Sequence, residues 1–141
     1  LRGTRWEGRF RSAAVDADTL ALDLMVLLER EPVTRGLATE PEGWRWSSAA
    51  HHLGLASLPW LRDHPARWTL GNTPFEREAS YAIRLREGVP ASLRTTVRQG
   101  LMRGWVIGSP DFQRRLQNTM TLPRAVAPRP RGRPPNPRAS R

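Results

Sequence analysis

The chain has 141 residues, of which 38% are hydrophobic and 26% are charged, so it can form one small domain but hardly two. It contains no cysteine, which excludes disulfides, zinc–thiolate sites and a thiol nucleophile, and no apolar run approaches the roughly 20 residues that cross a bilayer. We therefore expect a cytoplasmic protein without a membrane contact. Its net charge of +10, with arginine as the only basic residue type among 23, points to a polyanionic partner.

The first predicted element is a β-strand over residues 5–15, where charged residues alternate with apolar or small ones. Trp6 and Phe10 fall on one face of this strand, and Arg9 and Arg11 fall on the other. We expect the two arginines to contact DNA.

A long apolar helix is predicted next. Asp16 or Asp18 can cap its start, and it is apolar on most sides, which predicts burial. Pro32 is expected to end it, because proline has no amide hydrogen and disfavours helical geometry in the residue before it. A short helix should then run from about Ser47 to Gly54.

Three further helices have readable start and stop signals. Their predicted ranges are Thr73 to Gly88, Pro90 to Gly104, and Ser109 to about residue 121. Thr73 and Glu76 form a capping box around a proline at the first helical position.

The last two helices, with a glycine-flanked turn at 104–108, fit a helix-turn-helix unit. Arg114, Gln117 and Asn118 would face outward from the second of them, and such side chains match the edges of guanine and adenine in the major groove. An ordinary helical hairpin with a solvated polar face explains the same spacing, and the spacing alone slightly favours it.

The C-terminal end carries most of the charge. Residues 112–141 contain eight arginines and no acidic residue, and residues 122–141 are so rich in proline and arginine that we expect a disordered tail. Arg131, Gly132 and Arg133, flanked by prolines, resemble the core of an AT-hook, which lies in an A·T-rich minor groove. Coincidence in a biased composition is the alternative.

An ordered series of motifs resembles the C-terminal part of the REP-associated tyrosine transposases, bacterial relatives of the single-tyrosine HUH transposases of insertion sequences. The series is WEGRF at 6–10, EPVTRGL at 31–37, EGWRWSS at 42–48, HHLG at 51–54, LGNTPFER at 70–77 and RGWVIGS at 103–109. The resemblance implies an α+β fold by descent that is mostly helical in this chain. It divides the chain into a remnant of the catalytic domain (1–55), a helical extension (56–121) and the tail (122–141).

In that family a His-hydrophobic-His pair binds Mg²⁺ or Mn²⁺, and a helix-borne tyrosine attacks single-stranded DNA to form a phosphotyrosine. Here the position of the tyrosine falls on Leu27, the position that assists the metal falls on Glu31, and no His-x-His occurs. Because leucine has no nucleophilic atom, the resemblance implies a truncated, catalytically inactive DNA-binding protein of the bacterial nucleoid. Its partner would be single-stranded or hairpin DNA.

Two alternatives stay open. The chain could be half of a split transposase whose partner supplies the histidines and the nucleophile, or a basic structural or RNA-associated protein. A strand at 5–15 without its sheet neighbours would also leave an apolar face uncovered, which predicts aggregation or a homodimer.

The other candidate site residues have simpler interpretations. His51 and His52 are adjacent, so they cannot both point at one ion, and we expect ordinary helix-end histidines. Tyr81, the only tyrosine, is expected to pack in the core, and Glu31 alone is a weak Mg²⁺ ligand. The six tryptophans could stack on bases, but four of them fall at element ends and inward positions, where core packing is the commoner role: Trp6, Trp44, Trp46 and Trp105.

Overall fold

The structure is a computed structural model that describes residues 8–119. Five α-helices and two short 3₁₀ helices make up this part of the chain. The α-helices are α1 (Ala17–Thr34), α2 (Ala49–His52), α3 (Pro74–Glu87), α4 (Ala91–Arg103) and α5 (Pro110–Thr119), and the 3₁₀ helices span Pro41–Gly43 and Pro65–Leu70. Residues 8–119 contain no β-strand, so the described fold is mostly helical, and none of its helices is long and apolar enough to cross a membrane.

The strand predicted at 5–15 is wrong for the residues that the structure describes. Only Val15 pairs, in an isolated parallel bridge with Ile107, and Phe10 is 91% exposed. A strand is stable only beside a partner strand, and residues 8–119 supply no second strand. Positions 5–7 of the predicted strand, with Trp6, lie outside the described residues.

The prediction that Pro32 ends the first helix is also wrong, because α1 continues to Thr34. Proline removes only its own N–H, and so close to the helix end a single helical hydrogen bond is lost. Backbone bonds beyond it close the helix: the Arg35 N–H donates to the Glu31 carbonyl at 3.0 Å, and the Leu37 N–H donates to the Pro32 carbonyl at 2.8 Å.

The main core lies where α1, α2 and α3 meet. Its buried members are Val26, Ala49, Tyr81 and Leu85. The buried stripe of α1 is narrower than predicted, because it follows Val26, Glu29 and Pro32, while Leu28 is 70% exposed. A second, smaller contact joins α4 to the turn after it, where Val97 and Ile107 are buried.

The start signals of α3, α4 and α5 and the stop signals of α3 and α4 are confirmed, while the predicted end of α5 near residue 121 lies outside the described residues. The Thr73 hydroxyl accepts the Glu76 N–H at 3.2 Å, and the Glu76 carboxylate accepts the Thr73 N–H at 3.1 Å. The Glu76 carboxylate thus accepts backbone N–H bonds from Thr73 and Asn72, and these bonds lower its pKa below the ordinary 4.5. Gly104 adopts the left-handed conformation that ends α4.

Candidate nucleic-acid interface

Arg9 and Arg11 lie in a cleft between residues 8–12 and the C-terminal turn of α4, with a volume of about 540 Å³. Arg103 from α4 lines the same cleft, and none of its described lining residues is acidic. The Arg11 guanidinium donates to the Met102 carbonyl at 2.7 Å. A cation is favourable at this position because the last carbonyls of a helix carry partial negative charge. We call these three arginines the arginine cleft.

The sequence separates positive from negative charge along the described chain. Residues 8–12 and 91–119 together carry seven arginines and one acidic residue, Asp111. Residues 13–90 carry eight arginines and eleven acidic residues. Because residues 8–12 pack against α4, the fold brings the two basic segments together.

The start of α5 is fixed against the start of α1 by a buried carboxylate. Asp16, which is 1% exposed, accepts the Ser109 hydroxyl at 3.1 Å, and Ser109 in turn accepts the Phe112 N–H at 3.2 Å as the cap of α5. Burial acts to raise the pKa of Asp16, but hydrogen bonds from Ser109 and Thr19 outweigh it and hold the pKa below the ordinary 3.8. A charged Asp16 therefore holds the α4–α5 unit in place.

Arg114, Gln117 and Asn118 are all exposed on α5, while Phe112 and Leu116 are half-buried. Arg114 forms an ion pair with Asp111 one turn earlier. Six residues, 104–109, separate α4 from α5, which is longer than the turn of about three or four residues in a typical helix-turn-helix motif. An exposed polar face is present, and it lies on the same helical unit as Arg103.

A buried polar cluster, which sequence reasoning missed, lies in the main core. Glu29 is 3% exposed, and its Oε1 accepts Nδ1–H of His52 at 2.6 Å and the Ser48 hydroxyl at 2.5 Å. Its Oε2 accepts the Tyr81 hydroxyl at 2.7 Å. Three donors therefore surround the Glu29 carboxylate of α1: His52 of α2, Tyr81 of α3 and Ser48, which precedes α2. A buried charge needs such hydrogen-bond partners, and this one has them. We call these four residues the Glu29 cluster.

Arg67 extends this cluster toward the 3₁₀ helix Pro65–Leu70. It is 4% exposed, donates to the His52 carbonyl at 2.8 Å, pairs with Asp63 and lies over the Tyr81 ring at 5.5 Å from its centroid. Burial, followed by the neighbouring Glu29 carboxylate, raises the pKa of Tyr81. The phenol is therefore protonated and buried, which suits a structural hydroxyl and not a nucleophile that meets DNA.

The predicted positions of the histidines at the end of α2 agree with the structure. The Tyr81 hydroxyl bonds to Glu29, and the His52 ring packs edge-on against the Tyr81 ring; both residues are distant from Tyr81 in sequence, so local spacing could not reveal them. One signal was available: Glu29 is the first charged residue after the apolar run from Leu24 to Leu28 in α1.

Leu27, the position matched to the family's tyrosine, is half-buried on α1. Glu31 is bound by Arg35 through an ion pair of 2.7 Å. Within residues 8–119 no group of three or more histidine, cysteine or acidic side chains could hold a metal ion.

The prediction that the tryptophans pack inward is wrong for Trp46, which is 74% exposed, whereas Trp44 and Trp105 are half-buried. Guanidinium groups stack on two of these rings: Arg45 lies 4.3 Å from the ring centre of Trp46, and Arg103 lies 4.8 Å from that of Trp105. Aromatic rings and arginines together are the surfaces that bind unpaired bases or other planar groups.

The AT-hook prediction for Arg131, Gly132 and Arg133 falls outside the described residues. Comparison of the chain with protein-family models, with curated proteins and with solved structures finds no significant match.

Proposed function

We propose that the chain binds DNA through the arginine cleft and the exposed face of α5, and that it is a catalytically inactive relative of the REP-associated tyrosine transposases. The observation that carries the DNA-binding part is the placement of charge. Seven of the arginines in residues 8–119 fall in the two packed basic segments, with one acidic residue among them. Such a one-sided surface attracts phosphates and releases their counterions on binding.

The two parts of this surface have different roles in the proposal. Arg9, Arg11 and Arg103 contact phosphates, which gives affinity without sequence preference. Gln117 and Asn118 have the amide groups that pair with adenine edges in a major groove, so any base preference of the described part comes from α5.

Loss of catalysis rests on Leu27 and Tyr81. Leucine offers no atom that attacks phosphorus, and the Tyr81 hydroxyl is fully buried and donates to Glu29. An attack through Tyr81 would require the main core to open. We expect no cleavage of single-stranded REP-type hairpin DNA with Mg²⁺ or Mn²⁺, and a covalent protein–DNA adduct on a denaturing gel would refute this part of the proposal.

The binding proposal is tested by the salt dependence of duplex affinity, measured by fluorescence anisotropy with the full chain. Each phosphate contact contributes about 0.9 to the slope of log affinity against log salt, so Arg9→Gln with Arg103→Gln should flatten it by up to about 1.8. Arg62→Gln with Arg86→Gln, which removes two exposed arginines outside the arginine cleft, is the matched control and should leave the slope unchanged.

Two further variants separate the parts of the surface. Deletion of residues 125–141, which carry five arginines, should flatten the slope by about 3 to 5 if the tail also binds phosphates. Replacement of Gln117 and Asn118 by alanine should change preference among sequences and not the slope. Equal slopes for the parent chain, the cleft variant and the tail deletion would refute DNA binding by these surfaces.

A further inference from the structure

A second cleft, of about 340 Å³, lies between the end of α1 and the segment that leads into α2. Half of its lining residues are apolar or aromatic, and the other half are polar or charged; the apolar and aromatic ones are Leu28, Pro32, Leu37, Trp44 and Trp46. We call it the tryptophan cleft. Trp46, Leu28 and Leu37 are 74%, 70% and 58% exposed, so the part of the chain that the structure describes leaves this apolar surface uncovered.

The tryptophan cleft has two carboxylates, Glu29 and Glu31, in its lining, and two guanidinium groups: Arg35 pairs with Glu31, and Arg45 stacks on Trp46. Glu29 lies at its floor and Glu31 at its rim. The Glu31–Arg35 ion pair is exposed on both sides, with 39% and 67% of the two side chains accessible. Such a pair contributes little to stability, so Glu31 can accept another cation at small cost. Residues 13–90 carry eleven acidic residues and eight arginines, so this part of the chain lacks the basic excess that attracts a nucleic acid.

An apolar, tryptophan-lined groove with a carboxylate at its rim suits a proline-rich segment that carries arginine. Proline holds the backbone extended with little entropy to lose, and its ring packs on indole. This chain contains such a segment at residues 128–135, PRPRGRPP, in a terminus with six arginines and no acidic residue beyond position 119.

The length of the chain allows that segment to reach the cleft. Asp16 holds the start of α5 at the start of α1, and the cleft lies near Pro32, about 24 Å further along α1 at 1.5 Å per residue. If α5 pointed directly away from the cleft, its ten residues would add about 15 Å to the distance that the tail has to cover. The fifteen residues that lead from Thr119 to Pro134 span up to about 50 Å when extended.

We propose that the tryptophan cleft binds the chain's own proline–arginine segment, residues 128–135, with prolines against Trp44 and Trp46 and an arginine on Glu31. The docked segment holds Arg131 and Arg133 away from other anions. If the proposed DNA binding is also correct, docking inhibits it, and DNA and the cleft compete for the same arginines.

The docking is tested without DNA, so that it can fail or succeed independently of the proposed function. The readout is the indole N–H signal of Trp46 in the full chain by NMR, assigned through Trp46→Phe. In the variant Pro130→Ala, Pro134→Ala, Pro135→Ala every arginine remains, and we expect the Trp46 signal to move. Trp60, which is 77% exposed and does not line the cleft, is the control whose signal stays in place.

Glu31→Gln should move the Trp46 signal in the same direction as the proline variant, because it removes the rim carboxylate. On duplex DNA, release of a segment that is docked for most of the time should raise affinity about three- to tenfold. Glu87→Gln, an equal change of charge on α3, is the control for that measurement and should have a smaller effect.

Three results would overturn the proposal. The Trp46 signal could stay unchanged in the proline variant, or move no more than that of Trp60. The shift could depend on protein concentration, which would indicate exchange between two copies. A single-stranded oligothymidylate could move the Trp46 signal equally in the parent chain and in the proline variant, which would make the cleft a site for unpaired bases.

Discussion

Replacement of Tyr81 by phenylalanine removes one hydroxyl from the centre of the core and leaves the ring in place. The hydroxyl donates to Glu29 Oε2 at 2.7 Å, and among the described residues it is the sole donor to that oxygen. Loss of a hydrogen bond to a charged group costs about 1.5–3 kcal/mol, because the carboxylate oxygen stays buried without a partner. For a chain of this size the melting temperature should fall by about 5–12 °C.

The measurement is urea unfolding followed by far-UV circular dichroism and tryptophan fluorescence. Phe75→Leu is the control, since Phe75 is 82% exposed and its replacement should change the free energy of unfolding by less than about 0.5 kcal/mol. A double-mutant cycle with Glu29→Gln isolates the coupling between the two side chains. If Tyr81→Phe unfolds within about 0.5 kcal/mol of the parent chain, the Glu29 cluster does not stabilise the fold as argued.

Three further predictions concern the connections between helices, each measured by chemical or thermal unfolding. Gly108→Ala should cost about 1–3 kcal/mol, because a Cβ there would lie 2.5 Å from the Asp16 Cβ, whereas Gly43→Ala meets no atom within 4 Å and serves as the neutral control. Thr73→Ala should cost about 1 kcal/mol through loss of the capping box, and an unchanged melting temperature would contradict this. The lowered pKa of Asp16 means that its ionised form favours the fold. That stabilisation is present above pH 3.8 and is lost as the pH falls from there through the lower folded pKa. Asp16→Asn should therefore be less stable at neutral pH and lose less stability in this acid range, and an unaltered acid profile would contradict the assignment.

Local signals were sufficient for the helices that begin or end at special residues. Each of these signals depends on at most four consecutive residues, and the structure agrees with all of them. They are the capping box at Thr73, the glycine after α4 and the serine–proline start of α5. The prediction that α1 ends at Pro32 is wrong because a proline in the last turn removes only one backbone hydrogen bond. The backbone hydrogen bonds of the residues that follow outweigh this loss. The strand prediction is wrong for residues 8–15 because alternating residues define the face of a strand but do not supply a neighbouring strand.

The Glu29 cluster could not be assembled from the sequence, since Glu29 and His52 are 23 positions apart and Glu29 and Tyr81 are 52 apart. Only the packing of α1, α2 and α3 brings them together. The arginines of the candidate interface were easier to identify, because net charge is additive along the chain. Their assembly into one cleft nevertheless depends on a contact between Arg11 and Met102 across 91 positions.

The tail and the tryptophan cleft belong to one chain, which changes how strongly they need to bind each other. A tether of ten to twenty residues holds the segment at an effective concentration of about a millimolar. A free peptide with a Kd of roughly 0.3 mM would therefore bind the isolated cleft only weakly, yet the same contacts within the chain would keep it docked for most of the time. A synthetic peptide of residues 123–138, added to the tail deletion, should accordingly move the Trp46 signal only at about millimolar concentration. Saturation at micromolar peptide would predict a tail so firmly docked that duplex DNA could not release it, and the deletion would then leave duplex affinity unchanged instead of lowering it.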